Sequence, residues 1–253
     1  MSGLLLGCGA AHPSFAFGVN ERLVEETSLG TPREGQARAG DAVVRVWVGR
    51  GTCSGVLVSP RVVLTARHCV TVLTHGKEAT EEVRLPGDFH VELGGDYLPW
   101  GRIGVTHVDA CHMSVGEERD LAALVLERPV PKDVPVARIT SPDTSRRYRL
   151  VGFGSQVWPK TTEGGLTLEA KRRHASGGEV KSLGGDTVVV HSGTSPGDSG
   201  GAVLDAETGE LVAIISRGDH AKLVGGVAFD DVTIGARVDT CNDTVHDALE
   251  RAR

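Results

Sequence analysis

Thr194-Ser195-Pro196-Gly197-Asp198-Ser199-Gly200-Gly201-Ala202-Val203 is the stretch on which the reading of this sequence turns. Small residues crowd around one serine, so backbone N–H groups can converge on a point while a hydroxyl stays exposed. That is the outline of an acyl-transfer site. A serine hydroxyl alone is a weak nucleophile. The stretch therefore predicts a general base and a buried carboxylate elsewhere in the chain, near in space and distant in sequence.

The sequence around it has a β pattern. From Ala42 the chain reads Ala-Val-Val-Arg-Val-Trp-Val, then Gly55-Val-Leu-Val-Ser and Arg61-Val-Val-Leu-Thr, short β-branched runs cut by Gly, Ser and Pro. Further strands are expected at Phe89 to Leu93, Arg102 to Val108, Leu121 to Glu127, Tyr148 to Phe153, Thr187 to His191, Ala202 to Asp205, Leu211 to Ser216 and Val224 to Phe229. Strands at this spacing, with almost no helical pattern between them, favour an antiparallel barrel or sandwich over a parallel sheet. One helix is expected at the C-terminus, capped by Asp239 or Asn242, with Val245, Ala248 and Leu249 on one face. No internal repeat is visible.

The bulk numbers bound the function. At 253 residues the chain can build a large core, as one structural unit of two similar halves. It carries 40% hydrophobic and 24% charged residues, and 34 glycines make it rich in turns. With 27 basic against 33 acidic residues the net charge is −6, so no basic surface for nucleic acid is implied. No apolar run approaches the roughly 20 residues of a membrane span, and the body of the chain is expected to be soluble. Glu78, Glu81 and Glu82 have no metal-ligand spacing and read as a solvated acidic loop; neither metal nor cofactor is expected.

Five cysteines, Cys8, Cys53, Cys69, Cys111 and Cys241, form no CxxC pair, and the odd count leaves at least one without an intrachain partner. Leu5-Leu6-Gly7-Cys8 resembles the cleavage box of bacterial lipoprotein signal peptides. Two readings stand: the tail of an export signal with Cys8 as lipidation site, or a disordered N-terminus with an incidental cysteine. Residues 9 to about 40, with Pro13, Gly18, Pro32, Gly35 and Gly40, read as a leader or pro-segment.

Val63-Leu-Thr-Ala-Arg-His68-Cys69 sets a histidine at the end of an apolar strand, and Asp120-Leu-Ala-Ala-Leu-Val-Leu opens another strand with an acid. With Gly197-Asp-Ser-Gly-Gly201, and in the order His68, Asp120, Ser199, these segments resemble the chymotrypsin-like (trypsin-family) serine endopeptidases of bacterial type. The resemblance covers roughly residues 27 to 250 and implies two six-stranded antiparallel β-barrels, roughly 40–130 and 131–238, followed by a short C-terminal helix. In this division residues 1–26 are signal remnant or leader, and 27–253 the peptidase domain.

The resemblance also assigns roles. Ser199 is the nucleophile, His68 the base, Asp120 the orienting carboxylate, and the N–H groups of Gly197 and Ser199 the oxyanion hole. Leu150-Val-Gly-Phe-Gly154 and Ile215-Ser216-Arg217-Gly218 resemble two further family segments. Ser216 is then expected near Asp120 and, with Gly193, Thr194, Gly218 and Gly226, around substrate. A Cys53–Cys69 bridge would hold the histidine loop, and Cys111–Cys241 would close a long loop, leaving Cys8 over.

The chain departs from the family in two places. Gly193, six residues before the nucleophile, brings no charge to the pocket floor, and Ser195 stands where a pocket disulfide cysteine is common. A preference for apolar or aromatic residues on the acyl side of the cut follows. Thr27-Ser-Leu-Gly30-Thr-Pro32 lacks the apolar first residue of the family's activating N-terminus, so Asp198 needs another partner, for which Arg146, Arg147 and Arg149 are candidates. The function expected is a secreted or cell-surface, monomeric serine endopeptidase acting on polypeptides, its only membrane contact a lipid at Cys8. The alternatives are a non-catalytic or zymogen-like homologue that binds proteins, and an esterase using the same acyl chemistry.

Overall fold

Short runs of valine and leucine cannot bury themselves as isolated hairpins; closing into a barrel covers their inner faces and removes free edges. The chain does this twice. The computed structural model describes residues 23–24, 39–49, 51–74, 80–94, 99, 101–113, 117–159, 166–170, 174–219, 222–224, 227–229 and 232–253. The first barrel contains β1 (Val43–Val48), β2 (Gly51–Ser59), β3 (Val62–Thr65), β4 (Phe89–Leu93), β5 (Gly101–Ala110) and β6 (Ala122–Leu126). The second contains β7 (Arg147–Gly152), β8 (His174–Leu183), β9 (Thr187–Val190), β10 (Ala202–Asp205), β11 (Leu211–Asp219) and β12 (Val232–Arg237).

Each barrel closes in the same order. Its first strand pairs with the second, the second with the third, the third with the sixth, the sixth with the fifth, the fifth with the fourth, and the fourth with the first. The two halves thus share a topology although the sequence displays no repeat.

The seam between the barrels explains the continuous apolar strands. On β10, Val203 packs inside the second barrel while Ala202 and Leu204 join the larger cluster shared with the first; on β11, Val212 and Ile215 divide from Leu211 and Ile214 in the same way. Both faces of these strands are buried, so the period-two alternation of a half-exposed strand is absent. Arg45 on β1, buried, pairs with Glu92 at 2.8 Å and lies 4.8 Å over the Phe153 ring, tying the first barrel to the end of β7.

Several expectations need correction. β8 and β12 were not legible as strands. The segment Val224 to Phe229, read as a barrel strand, instead supplies both arms of a separate two-stranded sheet, Lys222–Val224 with Val227–Phe229, and β12 takes its place in the barrel. At the C-terminus α2 (Asn242–Arg251) buries Val245 and Ala248, but neither expected cap is used: Cys241 holds the cap position without a side-chain bond. Asp239 is drawn off by the Arg237 guanidinium, at 2.8 and 2.9 Å. Cys8, Gly226, the Thr27–Pro32 segment and the 1–26 leader lie outside the described residues, apart from Leu23–Val24, which pair with Ala175 and His174 on β8.

Disulfides join Cys53 to Cys69 and Cys111 to Cys241. The second spans 130 residues and ties the approach to β6 to the start of α2. By loop-closure entropy it is worth about 4–5 kcal/mol. The double variant Cys111→Ala/Cys241→Ala is expected to lower the thermal unfolding midpoint by about 10 °C or more. An unchanged midpoint in calorimetry would contradict this.

Candidate active site

Strand register brings the first two groups together. β3 pairs with β6, with Thr65 opposite Ala122, so the residues leaving β3 face those entering β6. β3 ends at Thr65, and the chain turns into α1 (Arg67–Val70), a single turn; His68 sits on this turn rather than on the strand. Its backbone N–H donates to Asp120 Oδ1 at 2.8 Å, and its ring Nδ1 lies 2.7 Å from Asp120 Oδ2. An ionised Asp120 can only accept, so Nδ1 carries the proton and Nε2 keeps its lone pair.

Register in the second barrel places the serine. β10 pairs with β11, Ala202 opposite Ile214; the Gly200 N–H donates to the Ile215 carbonyl and the Ile215 N–H to the Gly201 carbonyl. Ser199 therefore stands beside Ser216. The Ser216 hydroxyl donates to Asp120 Oδ2 at 2.6 Å, and its carbonyl accepts from Ser199 Oγ at 3.4 Å. The Ser199 hydroxyl thus points to Ser216.

These contacts set the charge states. The hydrogen bond to Asp120 raises the His68 pKa above its usual value, with burial opposing and the charges of Asp120 and Glu81 reinforcing. Burial acts to raise Asp120, but the hydrogen bond and charge of His68, with the Ser216 hydroxyl, outweigh it and hold the carboxyl below its ordinary value. Asp120 stays ionised, and the imidazolium is the species it favours.

The loop carrying Ser199 presents two N–H groups. The Asp198 N–H is taken by the Ser195 carbonyl and the Gly200 N–H by Ile215, whereas the N–H groups of Gly197 and Ser199 find no acceptor among the described residues. Gly197 and Gly200 adopt φ of +104° and +86°, a region costly for other residues, so the alternation of used and unused donors depends on glycine here.

The Asp198 side chain points inward and is 1% exposed. It accepts from the Gly154 N–H at 2.7 Å, the Ser195 N–H at 2.9 Å and the Ser195 hydroxyl at 3.2 Å. Two of the arginines considered as its partner are engaged elsewhere: Arg146 with Glu207 and Asp205, and Arg147 with Glu179. Ser195, read only as an absent cysteine, is thus one of the residues that hold Asp198. At Gly154 a side chain would collide with the Asp198 carboxylate and the Ser195 hydroxyl, which accounts for the glycine beside Phe153.

A cleft of about 640 Å³ runs between the barrels, lined by His68, Asp120, Ser199, Thr194, Ser216 and Gly218 among others. Arg217 pairs with Glu118 at its rim. Gly193 is buried next to Thr194 and does not line the cleft. Thr194 Oγ1 lies 3.3 Å from the hydroxyl of Thr233, which stands opposite Gly218 on β12 and donates to the Ser192 carbonyl. Two polar residues escaped the sequence reading: Thr233, because β12 was not seen, and Ser54, whose only signal is a small polar residue inside an apolar strand.

Residues 53–214 match the family model of the trypsin-like peptidase domain. Among solved structures, a Glu endopeptidase in complex with MPD superposes with a TM-score of 0.60 at 15% identity, covering 90% of this chain and 99% of the other. Neuropsin, a serine protease expressed in the limbic system of mouse brain, gives 0.58 at 16%, covering 88% and 99%. An inactivated protease paralogue of the scabies mite gives 0.60 at 14%, covering 84% and 93%. No curated protein sequence shows a comparable match.

If Asp120 holds His68 as the geometry indicates, the imidazole titrates above its ordinary 6.5. Protonation is then half complete at a pH higher than for a free histidine, and Asp120→Asn shifts the midpoint down. NMR titration of the His68 ring measures both; a wild-type midpoint at or below 6.5 would contradict the pairing.

Proposed function

The chain belongs to the trypsin-like peptidase family, and on that premise we propose that it is a serine endopeptidase acting through Ser199, His68 and Asp120. The supporting observation is the convergence just described. One cleft holds a serine hydroxyl and an imidazole fixed in its Nδ1–H tautomer by an ionised carboxylate, and the serine's own loop carries two N–H groups without an acceptor among the described residues. Each answers a need of acyl transfer.

Ser199 Oγ attacks the scissile carbonyl as His68 Nε2 takes its proton. Asp120 stabilises the imidazolium, and the oxyanion settles on the N–H groups of Gly197 and Ser199. The imidazolium then protonates the leaving amine, giving an acyl-enzyme that water, activated by the same histidine, hydrolyses. The residue on the acyl side is apolar or aromatic in this reading, because Thr194 and Gly218 bring no charge to that part of the cleft. Two disulfides favour an oxidising compartment, and export is part of the proposal.

A fluorophosphonate probe followed by mass spectrometry tests this. The folded full-length chain, before or after limited proteolysis, is expected to be labelled at Ser199, with labelling lost in Ser199→Ala. The same preparation should cleave peptides after apolar or aromatic residues in preference to Lys or Arg. Absence of labelling would sink the enzyme reading, and hydrolysis of simple esters without peptides would replace it with an esterase.

A further inference from the structure

Ser54, on β2 of the first barrel, is fully buried, and its polar groups are spent on linking the two halves of the candidate site. Its N–H donates to the Ser199 carbonyl at 2.7 Å. Its hydroxyl donates to the Gly197 carbonyl at 2.8 Å and accepts from the Phe153 N–H at 2.8 Å. Its own carbonyl accepts from the Thr65 hydroxyl at 2.7 Å, three residues before His68. Through its hydroxyl Ser54 thus meets Gly197 and the residue next to Gly154, and through its backbone it meets Ser199 and the strand that leads to the histidine.

The bond to Gly197 matters most. Glycine has the widest backbone freedom of any residue, and this one sits at a φ of +104°, so nothing intrinsic to it selects the orientation of its peptide groups. A peptide unit is planar; holding the Gly197 carbonyl therefore holds the Asp198 N–H with it and fixes ψ of Gly197. The Ser54 backbone does the same for the Ser199 carbonyl. With the carbonyl sides tied to the first barrel, the N–H groups of Gly197 and Ser199 are left without an acceptor among the described residues.

We propose that Ser54 is a positioning residue for acyl transfer: through the Gly197 carbonyl its hydroxyl sets the aim of the two N–H donors that stabilise the oxyanion. This rests on the serine-peptidase reading. It assigns the first barrel a part in the oxyanion hole as well as in holding the histidine. Ser54 makes no contact with substrate. Its effect should therefore appear where negative charge develops on the carbonyl oxygen, and not in ground-state binding.

Removing one oxyanion donor outright typically costs about 100- to 1000-fold, so loosening the aim of both, without removing either, is expected to lower kcat by about 10- to 100-fold in Ser54→Ala. KM for a peptide substrate should stay within about threefold, since only transition-state contacts are lost. Affinity for a peptide boronic acid, whose tetrahedral oxygen occupies the hole, should weaken by the same factor as kcat/KM. Affinity for a non-hydrolysable peptide should not change, nor should the His68 titration. Ser54→Thr, which keeps the hydroxyl, should restore most of kcat.

Full-length variants are compared by near-ultraviolet circular dichroism before assay; if Ser54→Ala does not fold, Ser54→Cys, a weaker donor of similar size, is expected to give an intermediate loss of kcat. A folded variant lacking the hydroxyl that keeps wild-type kcat and boronate affinity overturns the proposal, as does a loss confined to KM. A wild-type chain that neither hydrolyses peptides nor takes the fluorophosphonate label fails at the peptidase reading itself, and the role of Ser54 falls with it.

Discussion

A carboxylate that is 1% exposed must be met by donors, and meeting the needs of Asp198 organises everything around Ser199. Gly154 and Ser195 supply backbone N–H groups and Ser195 a hydroxyl. To reach them the chain from Ser195 to Ser199 doubles back tightly, with Gly197 at positive φ and the N–H groups of Gly197 and Ser199 without an acceptor among the described residues. Stability and chemistry therefore make the same demand on this loop. The arrangement that satisfies the buried charge is also the one that leaves the N–H groups of Gly197 and Ser199 without an acceptor among the described residues, as the proposed oxyanion hole requires.

The second requirement is met by the seam between the barrels. His68 follows β3 and Asp120 precedes the neighbouring β6 in the first barrel, whereas Ser199 precedes β10 and Ser216 lies on the neighbouring β11 in the second. Neither barrel holds all the residues of the proposed site, so the packing of one against the other sets the distance between the Ser199 hydroxyl and the His68 ring. The buried residues at that seam, among them Phe153, Ala202 and Ile214, belong to the same cluster as the core of the first barrel. Asp120 reads across the seam directly, accepting from His68 on one side and Ser216 on the other.

What could be read from the sequence follows from how locally each feature is encoded. The segments of His68, Asp120 and Ser199 and most barrel strands are written in contiguous residues, an apolar run or a glycine-flanked serine, whereas both disulfide pairings, 16 and 130 residues apart, followed only from the family resemblance. β8 was invisible because His-Ala-Ser-Gly-Gly-Glu lacks apolar alternation; Gly178 is glycine because a Cβ would meet the His191 carbonyl at 2.6 Å, a constraint set by the pairing of β8 with β9 rather than by the local sequence. The helix cap was misread because Asp239 is taken by Arg237. Ser54 was missed for a related reason: its partners are 99 and 143 residues away, and only the closed fold brings them within reach.

The central claim is that this loop delivers a nucleophile and two aimed donors to one point. The most direct measurement is a crystal structure of the chain after reaction with an aryl fluorophosphonate. The account predicts a phosphorus–oxygen bond at Ser199 Oγ, with the phosphoryl oxygen about 2.7–3.1 Å from the N–H groups of both Gly197 and Ser199. An adduct on another residue, or one on Ser199 whose phosphoryl oxygen turns away from those donors, would contradict it.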